Sequence, residues 1–462
     1  MRIENLGPIK KADINLGKLT VFCGGNNQGK TYVSYALYGL MDSLPHFIRG
    51  IFKKEEIIKL LTEQKLEYQK EIFMERVIEM FSISYHKNEE RVYKNTFKVD
   101  DEQFAKTKIR FSKQEIENLI INPHISAIEM KLTLNTELNM LVKIDETKFS
   151  VVLVGNLQNN DIDWEDCQKS LDEVTKRYII HCFSAFYIPA ERIGINVFRT
   201  QLNENKLGTL DALASIIQFN DARDRNEKEE FRRDTIRNFF NVLSEVNTSF
   251  PEPINDYLKF INAIKNYGEN KGEESPPATF IRDNILNGKF GITENTGQSY
   301  FRIKYGNKRY KKDYIPLQIT SSSLKSMYGL DHYLETLEYF KSNYIIIDEP
   351  EMNLHPSNQV EIANLFNLMI KKGLNIIIST HSDFLMKKIQ NIVLQNELEE
   401  ENTGLNKESL KIYQFENGTV KLVDMFDDHS VFENFNGTVE LLEDEYLDLL
   451  DELAIKEQGK EE

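Results

Sequence analysis

An octapeptide with three glycines and a lysine constrains this chain most: Gly24-Gly25-Asn26-Asn27-Gln28-Gly29-Lys30-Thr31. It fits Gly, four residues, Gly, Lys, Ser/Thr, a pattern whose meaning depends on its flanks. Lys18-Leu-Thr-Val-Phe-Cys23 before it is apolar and β-branched, as in a buried strand, and Thr31 to Leu40 after it reads as a helix. Between strand and helix, Gly24, Gly25 and Gly29 let backbone N–H groups converge on one concavity. The positive end of the helix dipole adds to the same point. Asn26, Asn27 and Gln28 complete the loop. Lys30 is expected to reach β- and γ-phosphates, and the Thr31 hydroxyl to ligate Mg²⁺.

The 462 residues make room for one large or two to three ordinary domains. No apolar run approaches a membrane span, and Met1-Arg-Ile-Glu-Asn5 has no signal-like core, so a cytoplasmic protein without membrane contact is expected. Cys23, Cys167 and Cys182 have unrelated spacings and support neither disulfides nor a metal site. The net charge is −16, and residues 393–462 carry nearly all of it, with five lysines against twenty acids. The total argues against a surface that is basic all over, whereas a local basic groove for nucleic acid depends on charge distribution.

Along the chain, residues 1–23 alternate apolar and polar as a hairpin turning at Gly7-Pro8. Lys53–Glu75 has helical spacing, Phe81–Tyr85 and Val92–Val99 look like strands, and Lys113–Ile120 looks helical. Residues 126–155 read as an antiparallel meander, and Trp164–Cys182 as a helix. Ala185–Gly194 reads as a strand ending in a charged loop. Residues 201–265 are read as helical, and the charge run Asp221–Asp234 as a solvated face or a partner-touching arm. A polar loop over 269–277 precedes β-hairpins over 280–318, with turns at Asn284–Lys289, Glu294–Gly297 and Tyr305–Lys308.

Tyr344-Ile-Ile-Ile-Asp-Glu-Pro-Glu351 reads as a buried strand ending in acids. Asp348 is placed to hold Mg²⁺, and Glu349 to orient and deprotonate an attacking water. After a helix over 357–372, Leu374–Asp383 gives a second such strand, with His381 at its tip near a γ-phosphate. A helix over 383–391, a hairpin over 410–423 and an acidic loop at Asp424–Asp428 follow. Val439–Leu453 carries leucines at helical spacing, either packed on the chain itself or docking a partner.

The order of these motifs resembles ABC-type ATPase heads of the branch holding SMC-like, RecF-like and overcoming-lysogenisation-defect (OLD) ATPases. Tyr187–Arg192, Ile319–Lys325 and Asp348–Pro356 are similar to ATPase subunits of bacterial phage-defence systems such as PARIS. The resemblance covers 1–40 and 315–385. It implies an α/β fold: a P-loop head with a mostly parallel core sheet, an antiparallel β lobe and a helical insertion. The head would be split between 1–45 and 311–392, with lobe and insertion over 46–310, including a head strand near 185–194, and hairpin plus acidic helix over 393–462. It implies a Mg²⁺-dependent ATPase acting as a nucleotide-gated homodimer, with a separately encoded Toprim or other nuclease as effector. Ser321, Ser322 and Ser323, leading a helix over 326–340, stand where the family's Ser-Gly-Gly signature meets the partner's γ-phosphate. Asn353 and His355 fall in the place of the D-loop, which in the family lies between the two subunits, and Glu191-Arg192 stands near the Q-loop. A DNA-repair ATPase that binds DNA directly and a non-catalytic nucleotide-dependent scaffold stay open as alternatives.

Overall fold

The computed structural model describes residues 1–99, 104–120, 128–134, 138–155, 163–198, 250–264, 275–293, 297–305, 309–336, 343–399, 403–426 and 446. Strands β1 (Arg2–Leu6) and β2 (Ile9–Asp13) form the expected hairpin, and β3 (Leu19–Gly24) delivers the glycine loop. Helix α1 (Lys30–Phe47) follows, then α2 (Lys54–Glu63), β4 (Lys65–Gln69) and α3 (Lys70–Phe97). The strands expected at Phe81–Tyr85 and Val92–Val99 fall within or overlap the end of α3. Phe73, Val77, Phe81 and Tyr85 recur every four residues on its buried face, whereas Ile83 is 58% exposed. Packing along that stripe overrides a local alternation that mimics a strand.

Next come β5 (Lys108–Arg110), α4 (Lys113–Ile120), and β6 (Ile128–Thr133), β7 (Leu138–Ile144) and β8 (Lys148–Gly155) of the expected meander. With β4 they make an antiparallel sheet ordered β4-β8-β7-β6. Helix α5 (Trp164–Cys182) is capped by Asp163 and leads into β9 (Ala185–Ile188). A short helix over 192–198 replaces the expected charged loop. The run 221–234 lies outside the described residues; beyond it, α6 (Glu252–Ala263) is helical as expected.

Hairpins do not fill 280–318 from its start. Ser275 caps α7 (Pro276–Ile281), which continues as a π-turn (Arg282–Leu286) to Asn287 at φ 49°. Only then do β10 (Gly288–Ile292), β11 (Ser299–Tyr305), β12 (Arg309–Tyr310) and β13 (Ile315–Pro316) form a third, antiparallel sheet. It leads into α8 (Ser322–Thr336), which starts four residues before the expected Ser326. Arg282 and Asp331 of α8, both fully buried, pair at 2.8 Å and 3.1 Å and tie the π-turn to α8.

The remaining elements are β14 (Tyr344–Asp348), α9 (Pro356–Lys371), β15 (Asn375–Ser379), α10 (Asp383–Leu398), β16 (Leu410–Glu416) and β17 (Thr419–Val423). The central sheet runs β5-β1-β2-β17-β16-β3-β15-β14-β9, parallel from β16 to β9 and antiparallel at its β1 edge. Burial on both faces explains the continuous apolar runs of β3, β14 and β15. The α/β class, mostly parallel core and antiparallel lobe are thus borne out. The C-terminal hairpin belongs to the central sheet, with β16 beside β3. The segment 439–453 lies outside the described residues apart from Tyr446.

Candidate nucleotide site

Strands β3, β14 and β15 run parallel, so their C-terminal ends open on one side, where α/β folds place ligands. The glycine loop turns there through Gly24 (φ 127°), Asn27 (φ 59°) and Gly29 (φ 98°). Gly29 caps α1 without a side-chain bond, so the first-turn N–H groups, which have no intrahelical acceptor, remain for a ligand. A side chain at Gly24 would stand 2.3 Å from the Phe415 carbonyl oxygen, and one at Gly29 2.7 Å from Ile9 Cδ1. Gln28 accepts a bond from the Asn417 N–H at 2.8 Å. Two adjoining turns, β1–β2 and β16–β17, therefore brace the loop.

Lys30 is buried and donates to the carbonyls of Gly24 and Gly25 at 2.9 Å and 2.8 Å. Burial lowers its pKa, and Glu349 opposes that shift. Thr31 is exposed. Cys23 lies beneath, its thiol pushed up to about 12 by burial.

Asp348 ends β14, 3% exposed, accepting from Ser379 Oγ at 2.8 Å and from Tyr187 Oη at 2.5 Å. Burial raises its carboxyl to about 6 against the bonds from Tyr187 and Ser379. Glu349 follows at φ 47°, costly for a residue with a side chain. Its N–H donates to the Ser379 carbonyl at 3.0 Å. Arg192 is 1% exposed and, among the described residues, bonds only carbonyls: Pro189 at 3.1 Å, Asp348 at 2.7 Å, Glu349 at 2.6 Å and Ser326 at 3.2 Å. It joins the ends of β9 and β14 to α8. Asn196 adds a second tether, donating to Lys325 O at 2.8 Å.

Glu351 Oε1 accepts from Thr380 Oγ1 and from the His381 N–H, both at 2.8 Å, while its shielded Oε2 has no partner among the described residues. Desolvation, then the Lys30 charge, lowers the His381 pKa against Glu349, favouring the neutral ring. The structure thus gathers Lys30, Asp348, Glu349 and His381 at one end of the sheet. Ser321 instead caps α8, accepting from the Leu324 N–H at 3.3 Å and pairing with Ser323 Oγ at 2.9 Å. Ser321 and Ser322 are exposed, and among the described residues no hydrogen bond joins these serines to the glycine loop. Asn353 takes φ 63°, and His355 caps α9.

Apart from setting Arg192 near the Q-loop, sequence reasoning assigned no role to Tyr187, Arg192, Ser379, Thr380 or Glu351. The signal for the first two was a polar cluster after an apolar strand, Tyr187-Ile-Pro-Ala-Glu-Arg192.

The donors fit a nucleotide with Mg²⁺. Thr31 and Asp348 offer the hard oxygens that ion takes, and the buried carboxylate favours a cation.

Comparison with known proteins gives a family. No curated protein matches the chain. The fold is similar to an Smc head domain with an extended coiled coil bound to the C-terminal domain of ScpA, derived from Pyrococcus furiosus: 14% identity, 94% of this chain and 98% of that chain covered, TM-score 0.34. It is also similar to an Smc head bound to the C-winged helix domain of ScpA (13%, 91% and 95%, TM-score 0.35) and to an SMC head domain from Thermotoga maritima (11%, 92% and 97%, TM-score 0.28). Residues 1–386 match the AAA ATPase domain model, so the chain belongs to that family and is a P-loop ATPase.

Proposed function

We propose that this ATPase is Mg²⁺-dependent and works as a nucleotide-gated switch between two head-to-head copies. The observation that carries this reading is the split of the site. Lys30, Asp348, Glu349 and His381 share one end of the sheet, whereas Ser321–Ser323 at the start of α8 form no hydrogen bond with them among the described residues, and Ser321 and Ser322 are exposed. A second copy would bring its serines to the first copy's γ-phosphate.

Thr31 and Asp348 would hold Mg²⁺, which when bound would supply positive charge to the phosphates. Lys30 leaves the Gly24 and Gly25 carbonyls for the phosphates. Glu349 takes a proton from the attacking water, and neutral His381 orients that water or the γ-phosphate by a hydrogen bond. The motifs shared with phage-defence ATPases support a cytoplasmic defence role with a separately encoded effector nuclease.

Glu349→Gln tests the switch. It removes the base and keeps the binding groups, so ATP stays bound, turnover falls on the order of a hundredfold or more, and light scattering with ATP and Mg²⁺ finds more dimer than wild type. Wild-type turnover by this variant would refute the role.

A further inference from the structure

The third sheet departs from the rest of the chain in charge. Residues 288–316 hold seven lysines and arginines against two acids, within a protein of net charge −16. Register places Lys289 opposite Arg302, Gly291 opposite Tyr300, and Lys304 opposite Tyr310. Alternation then puts Lys289, Tyr300, Arg302, Lys304 and Tyr310 on one face. The other face packs on α8: Phe290 meets Tyr328 edge to face at 5.2 Å, and Ser299 Oγ bonds Tyr328 Oη at 2.6 Å. The cationic, tyrosine-bearing face therefore points away from the core.

Its rings and charges are interleaved. A side chain at Gly291 would strike the Tyr300 ring at 2.5 Å, so the glycine lets that ring lie across the neighbouring strand. Tyr314, 51% exposed, covers Tyr300 at 4.9 Å. The Arg302 guanidinium sits 4.8 Å from the Tyr300 ring, and its buried Nε has no hydrogen-bond partner among the described residues. Lys289 Nζ lies 5.1 Å from the Tyr310 ring. Lys304 pairs with Asp283. Arg309, Lys311 and Lys312 are exposed and form no ion pair among the described residues.

Unpaired cations track a polyanion, and an exposed ring beside them offers bases a stacking surface. An acidic peptide would match the charges but leave Tyr314 without a use. We propose that the β10–β13 sheet binds single-stranded nucleic acid, phosphates on Lys289, Arg302, Lys311 and Lys312 and a base on Tyr314. Ser321 follows Pro316 of β13 by five residues, so the sheet leads directly into the serines that start α8. The proposal does not rest on hydrolysis, since a chain unable to turn over ATP would still bind.

The test is fluorescence anisotropy of a labelled 20-nucleotide oligothymidylate with the full-length chain over a series of KCl concentrations. Wild type is expected to bind with a Kd in roughly the micromolar range at low salt. Lys311→Glu/Lys312→Glu should lose at least about tenfold and flatten the log–log salt slope by about 1.4, for two lost single-strand phosphate contacts. Tyr314→Ala should lose about tenfold with the slope unchanged, and Tyr314→Phe, which keeps the ring, should bind as wild type. Absence of binding, or wild-type affinity in both the charge variant and Tyr314→Ala, would overturn the proposal. So would tighter binding of a labelled peptide of residues 427–462, with thirteen acids and two lysines, combined with no loss in Tyr314→Ala. That result would give the face to acidic protein segments.

Discussion

Arg192 holds Glu349 by its backbone: the guanidinium Nη2 donates to the Glu349 carbonyl oxygen at 2.6 Å while Nη1 donates to that of Asp348 at 2.7 Å. The same side chain bonds the Ser326 carbonyl in α8 through Nε, so one buried fork sets the relation between the acids and the helix led by Ser321–Ser323. Arg192→Lys keeps the charge but replaces a planar fork with a single point. The expected outcome is a kcat lower on the order of a hundredfold, with ATP affinity kept within about threefold. Single-turnover hydrolysis beside equilibrium ATP binding checks it; an equal loss in both would make Arg192 a general support of the fold.

Lys30→Ala removes the charge that the loop offers to phosphate. Affinity for ATP should fall by roughly 1.5–3 kcal/mol, one to two orders of magnitude in Kd. Titration with labelled ATP measures it, and undiminished affinity would contradict the site.

Gly24→Ala and Gly25→Ala should differ sharply although both alter the glycine loop. At Gly24 the methyl group meets the Phe415 carbonyl oxygen at 2.3 Å, in a backbone at φ 127°. At Gly25 it meets, among the described residues, only Gln28 Cγ, at 3.7 Å. The first change should cost about 1–3 kcal/mol or more and part the C-terminal hairpin from the loop, while the second is tolerated to within about 1 kcal/mol. Denaturant midpoints of the two variants decide it.

Arg282→Met should destabilise the chain by about 3–5 kcal/mol, because it strands the Asp331 carboxylate in the core; Arg282→Met/Asp331→Leu should recover part of that loss, since Glu335 still lacks its Arg282 partner. The neighbouring Glu335 supplies a pH test. Burial would raise its carboxyl, but the bond from His332 and the Arg282 charge prevail and hold it at about 2, below its ordinary 4.5. The folded pKa is depressed, so the stabilisation is present above pH 4.5 and is lost as pH falls toward about 2. It amounts to about 3 kcal/mol. Acid unfolding of Glu335→Gln should lack that component.

Local chemistry made much of this protein legible from its sequence. The glycine loop, the apolar strands ending in Asp348 and near His381, and the meander over 126–155 are contiguous patterns whose physics acts over a few residues. Where the local pattern was ambiguous, only long-range packing chose. Phe81–Tyr85 alternates like a strand yet lies in α3, because Phe73 and Val77 continue its stripe on the buried face. The tertiary structure alone placed Arg192 against Asp348 and Glu349, 156 and 157 positions away, and Phe415 against Gly24. It also set β16 beside β3 at the centre of the sheet. Such pairings leave no periodicity or spacing in the sequence, since a buried guanidinium takes any carbonyl that the fold brings within reach.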